Sequence, residues 1–151
     1  MKKKLFAILM LPLASVLILA AADEDDAPVS AEAVPVDDDM HHLMEYVFEP
    51  AYKRLKQSVA AEPADKAGWS AIKGDSLTLA ESTNLLLHRL PEEDSNDWVK
   101  LSVETRKIGG EVYQAARKKD YAATKKNFAL MLKSCNACHD KFADGDHQLK
   151  P

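Results

Sequence analysis

The stretch YAATKKNFALMLKSCNACHDKF, residues 121–142, decides the fold. Its apolar and semi-polar positions are Tyr121, Thr124, Phe128, Met131, Cys135, Cys138 and Phe142, spaced alternately three and four residues apart. That is the period of one face of an α-helix, and Asp120 stands where an N-cap is needed. The same spacing recurs upstream. Trp98, Leu101, Thr105, Ile108, Val112 and Ala115 mark a third helix after the loop 92–97, and Trp69, Ile72, Ser76, Leu79, Thr83, Leu86 and Leu90 mark a second that Pro91 stops. Met40, Leu43, Met44, Val47, Phe48, Ala51 and Leu55 mark a first, with Asp37 to Asp39 as N-cap and first-turn acids. Pro50 lies inside that first segment and predicts a kink or division there, because proline removes a backbone donor; Pro63 ends the region. Gly109 and Gly110 weaken the third helix by about 1 kcal/mol each relative to alanine, and read either as a place for close approach or as a tolerated defect. No segment shows strand alternation. The expectation is an all-α chain folded as an antiparallel four-helix bundle.

Composition sets the outer bounds. The chain has 151 residues, enough for one domain, and its 46% hydrophobic and 29% charged residues exclude wholesale disorder. Two cysteines are too few for a disulfide scaffold. A net charge of −4 argues against nucleic acid as a partner, since phosphate neutralisation needs a basic surface.

The ends of the chain read differently from its middle. Lys2 to Lys4, the apolar run from Leu5 to Leu19 and the triplet Ala20-Ala21-Ala22 have the layout of a secretory signal peptide over residues 1–22. An uncleaved membrane anchor is the alternative, because residues 5–22 just reach spanning length. No cysteine near the cleavage site allows a lipid anchor. The expected location is the periplasm. Without residues 1–22 the chain has 17 basic and 24 acidic residues, a net charge of −7, and eight of those acids fall between Asp23 and Asp39 with no basic residue among them. Residues 23–37 are therefore expected to form a flexible acidic segment, disordered and solvated, ahead of a folded domain over 38–151.

The sharpest motif is Cys135-Asn136-Ala137-Cys138-His139, the C-x-x-C-H attachment site of haem c. Two thiols one helical turn apart can each add across one vinyl group on the same porphyrin edge, and the next residue offers an imidazole to the iron. Two other uses of this pattern are weaker. A dithiol redox centre normally opens a helix in a βαβ setting, and here the motif ends a helix of an all-helical chain. A structural zinc site lacks a second pair of ligands, because the remaining histidines are His41, His42, His88 and His147.

A single such motif in the last of four helices of an exported chain resembles the class II c-type cytochromes, the cytochrome c′ family. The resemblance covers about residues 38–142. It includes the motif's surroundings, from Lys133 to Phe142 with an aromatic three residues after the histidine, and Trp98 near the start of the third helix. It implies one covalent haem inside the bundle, with Cys135 and Cys138 as thioether anchors and His139 as proximal iron ligand. It also implies either a distal methionine or an open distal face, and a tendency to form homodimers.

Met44 falls at the position that matches the distal residue of the family's first helix, and it is the expected distal ligand. His41, about 60° away around the helix, and Met40, one turn earlier on the same stripe, are the other candidates, while His42 should face water. Members with an open distal face often carry an arginine where this chain has Met40, so that arginine's role does not transfer. In this reading the haem lies among Met44, Leu79, Ile108 and Phe128. His88 and His147 read as surface residues. Arg117-Lys118-Lys119 reads as a solvated helix end, with docking of an acidic redox partner as the second use. The expected function is one-electron transfer to redox partner proteins. The alternative is a five-coordinate haem protein that binds NO or CO beside Met44, Leu43 and Val47. No acid–base pair or nucleophile stands beside the motif, so an enzyme is not expected.

Overall fold

The computed structural model describes residues 33–151. The expected signal peptide, 1–22, and residues 23–32 of the acidic segment lie outside the described residues. All regular structure among the described residues is helical, in four segments. The first joins α1 (Met40–Leu43), a π turn (Met44–Phe48) and α2 (Glu49–Val59). The second is α3 (Lys66–Ser82) followed by a 3₁₀ stretch (Thr83–His88), and the last two are α4 (Ser95–Arg117) and α5 (Tyr121–Phe142). None of the described helices is long and apolar enough to cross a membrane.

The caps follow the acids. Asp39 accepts from the backbone N–H of His41 at 2.7 Å, Asp65 from Gly68 at 2.8 Å and Asp120 from Ala123 at 2.9 Å, each satisfying a donor the first turn leaves free. α4 starts without such a bond, its preceding Asp94 being held at φ 54°.

Pro50 acts one turn ahead of itself. It occupies the start of α2 and has no N–H, and the turn before it widens so that the Glu49 N–H reaches the Met44 carbonyl five residues back. The expected break is thus a π turn, and the extra residue it holds leaves Val47 and Phe48 both half-buried. A second departure from regularity follows Ser82. Thr83 donates from its hydroxyl to the Ala80 carbonyl at 2.6 Å, the helix tightens to 3₁₀, and Leu86 is buried while Leu90 is left exposed.

Two apolar clusters result, with Phe48 packed against both. The larger holds Ala51, Leu55 and Val59 of α2, Trp69, Ile72 and Leu79 of α3, Val112 of α4, and Phe128, Met131 and Leu132 of α5. Each large side chain there contributes about 1.5–3 kcal/mol by leaving water. The smaller holds Leu43, Leu86 and Trp98, with Met40, Met44, Val47, Phe48, Cys138 and Phe142 packed against it. Arg54 of α2 and the buried Asp75 of α3 form an ion pair at 2.8 Å.

The two glycines of α4 differ sharply. A Cβ at Gly109 would stand 3.1 Å from the Ala80 Cβ and 3.2 Å from its Cα, whereas one at Gly110 would meet nothing within 4 Å. Gly109 is where α3 and α4 approach; Gly110 is a tolerated defect. Gly110→Ala is therefore expected to raise stability by about 0.5–1 kcal/mol. Gly109→Val should lower it by about 1–3 kcal/mol through overpacking against Ala80 backbone. Urea melts of the two variants check the pair, and equal shifts would show that α3 and α4 are not in contact there.

Candidate functional site

The motif lies within α5, not past its end. Three residues of helix carry Cys138 about 60° round from Cys135, so both thiols share a face one turn apart. They meet different surroundings. Cys135 packs against the larger cluster and Cys138 against the smaller. Burial pushes the Cys135 thiol up to about 12 and raises that of Cys138 as well. Thiol–disulfide exchange needs thiolate at working pH, so this environment counts against a dithiol redox centre. Among the described residues no three His, Cys, Asp or Glu side chains gather as a metal cluster.

His139 is half-buried, and its Nδ1 lies 3.0 Å from the backbone carbonyl oxygen of His147. A carbonyl only accepts, so Nδ1 carries the proton and Nε2 keeps its lone pair. Burial lowers the pKa of His139 from its ordinary value, which favours the neutral ring that a metal ligand must be.

The first helical segment brings its methionines to the motif's end of the chain. Met40 and Met44 are both half-buried and both pack on the smaller cluster, which Cys138 also borders. Met44 opens the π turn. His41 is exposed, with Nε2 3.4 Å from a Glu45 carboxylate oxygen. His42 does not simply face water: its Nδ1 lies 2.9 Å from Asp37 Oδ2 and its ring stacks on Tyr46 at 5.5 Å. That hydrogen bond raises the pKa of His42, while the Asp39 backbone N–H and then His42 lower that of Asp37. Arg89 also donates to the Asp37 carbonyl at 2.7 Å, so the last residue of the expected acidic segment is tied to the helical domain.

Trp98 forms the floor of the smaller cluster. Its indole N–H donates to the Leu86 carbonyl at 2.9 Å, and Phe142 meets it edge-on with ring centres 5.0 Å apart. Lys141 pairs with Asp97 and, at 3.2 Å, with Asp94, joining the same ends of α4 and α5. Ser102, one turn along α4 from Trp98, is buried with no hydrogen-bond partner for its hydroxyl. The expected quartet of Met44, Leu79, Ile108 and Phe128 is divided. Leu79 and Phe128 belong to the larger cluster and Ile108 packs on it, whereas Met44 packs on the smaller. The extra residue of the π turn and the 3₁₀ stretch after Ser82 accompany this separation, which a uniform helical period does not register.

His88 and His147 are exposed, as are Arg117, Lys118 and Lys119. The residues that periodicity missed are in the tail after α5. Asn136, inside the motif, donates from Nδ2 to the Leu149 carbonyl at 3.0 Å and accepts the Leu149 N–H at 2.8 Å. Tyr52 donates to the Lys150 carbonyl at 2.7 Å. No helical period governs residues 143–151, so nothing local in the sequence announces these bonds. Compared with known proteins, the chain matches no family model, no curated protein and no solved structure.

Proposed function

We propose that this chain is an exported monohaem c-type cytochrome of the class II kind, an antiparallel four-helix bundle that works in the periplasm as a one-electron carrier. The observation that carries the reading is the state of His139. Its Nδ1 is committed to a carbonyl, which leaves Nε2 its lone pair, and the residue directly follows two cysteines that share one helical face. The donor set fits a covalently held haem: two thiols for its two vinyl groups, a neutral imidazole, and a half-buried thioether, Met44, on the same apolar cluster as Cys138. The bundle is supported by contact pairs that run in opposite senses. Trp98 meets Phe142 while Thr105 meets Ser134 at 2.8 Å, and the Tyr121 hydroxyl reaches the Val59 carbonyl while Met44 and Cys138 share a cluster.

When bound, haem supplies a one-electron couple at iron. The chain's own residues do the rest. Cys135 and Cys138 would tether the group so that it is not lost in dilute surroundings. His139 presents Nε2, and its bonded Nδ1–H keeps the ring from turning. Trp98, Phe142, Leu43 and Leu86 exclude water, which limits reorganisation when charge changes. Met44 would hold the iron through its thioether sulfur, a soft, neutral donor that favours the reduced state. Redox partner proteins are the expected partners, with a homodimer as the assembly the resemblance favours.

Acid–acetone extraction of the purified holoprotein tests the reading. The haem is expected to stay with the polypeptide, and the resting visible spectrum to be low-spin. Haem that passes freely into the solvent would overturn the covalent cytochrome.

A further inference from the structure

The nine residues after α5 do not trail into solvent. They fold back along the motif and are fastened at four places. The His147 carbonyl takes the His139 Nδ1–H at 3.0 Å, and Gln148 donates to Asp140 Oδ1 at 2.8 Å. Asn136 holds Leu149 by both its carbonyl and its N–H, and the Lys150 carbonyl takes Tyr52 at 2.7 Å and Lys56 at 2.9 Å. Asn136 is the first variable position of the C-x-x-C-H motif. Its amide both donates and accepts, as a neighbouring strand would, and only the Asn and Gln side chains offer an N–H and a C=O together as a backbone amide does.

The geometry points to a positioning device: Asn136 holds the C-terminal strap, and the strap's His147 carbonyl holds the ring of His139. This rests on the haem reading for its purpose, since it fixes which nitrogen faces the metal and the plane of the imidazole. The His147 ring makes none of these hydrogen bonds. The residue sits at φ 59°, a left-handed backbone, and offers only its carbonyl. The polar groups that position the ring therefore come from a tail about eight residues beyond it and from the motif's own variable position.

The strap can be read by two signals in the full-length holoprotein. One is solvent exchange of the His139 Nδ1–H, followed by nuclear magnetic resonance of histidine labelled with nitrogen-15. The other is the pattern of ferric haem methyl resonances, which follows the imidazole plane. Asn136→Ala is expected to free the amides of Gln148 to Lys150, to speed Nδ1–H exchange by about tenfold, the worth of one net hydrogen bond, and to shift the methyl pattern. Tyr52→Phe, on another element, should move both signals the same way by less. His147→Gly keeps the carbonyl and favours the left-handed backbone, so it should match wild type.

Tail amides that exchange freely in Asn136→Ala beside an unchanged Nδ1–H and methyl pattern would overturn the device. So would tail amides that stay protected in that variant, or a His147→Gly protein that behaves like Asn136→Ala. Failure of the haem reading looks different: no thioether-bound haem and no methyl pattern, with Nδ1–H exchange still reporting whether the strap holds the ring.

Discussion

Cys135→Ser, Cys138→Ser protein is expected to give up all of its haem to acid–acetone, whereas wild type gives up none. The contrast is all or none because a thioether survives denaturation and an iron–histidine bond does not. Single variants should each retain haem through the remaining sulfur, with one vinyl group restored in the spectrum. Their folding costs should differ. Cys135 packs against the larger cluster, where an unbonded hydroxyl costs about 1–3 kcal/mol, while Cys138 borders the smaller, less enclosed one. Alanine variants at the same positions separate attachment from folding, since alanine brings no polar group into the interior. Helix content by circular dichroism should stay near that of wild type in Cys135→Ala, Cys138→Ala, and the haem should still be lost. Haem that resists extraction from the double variant would remove these cysteines from any role as anchors.

The helices and the motif were legible in the sequence for one reason: both depend on local spacing. Trp69, Ile72, Ser76, Leu79, Thr83 and Leu86 are buried as their three-and-four spacing requires, and Asp39 and Asp120 cap where the pattern begins. Two things were not legible. The π turn at Met44–Phe48 changes the rotation per residue, so angles counted at 100° drift past Met44, and the apolar positions separate into two clusters. Pro50 announced a disturbance without saying that it would take the form of a widened turn. The tail was the other. Its bonds to Asn136, His139 and Tyr52 join residues 13, 8 and 98 positions apart, through backbone groups that every residue possesses. A carbonyl leaves no trace in a pattern of side chains.

Met44→Ala is expected to change spin state, potential and ligand access together. A thioether is a neutral, soft donor that favours ferrous iron, so its loss lowers the reduction potential and leaves the iron high-spin. The same substitution deletes most of a side chain from the smaller cluster, which opens room on that side and should make CO binding by the ferrous form faster. Stability should fall by less than the roughly 2–5 kcal/mol of a fully buried Met→Ala change, because Met44 is only half-buried. Two controls bracket the assignment. His41→Ala should leave all three observables where they were, since that ring is exposed and beside Glu45. Met40→Ala removes a thioether that packs on the same cluster one turn earlier, and should cost some packing without a spin change. The spectra decide among the outcomes. A wild type that is already high-spin and takes up CO readily makes Met44 a pocket wall, and the gas-binding function replaces electron transfer. A spin change in Met40→Ala instead moves the sixth ligand one turn toward the N-terminus, outside the π turn. A spin change in His41→Ala requires α1 to rotate until an exposed ring faces the iron, which would overturn the packing of Leu43 into the smaller cluster along with the ligand.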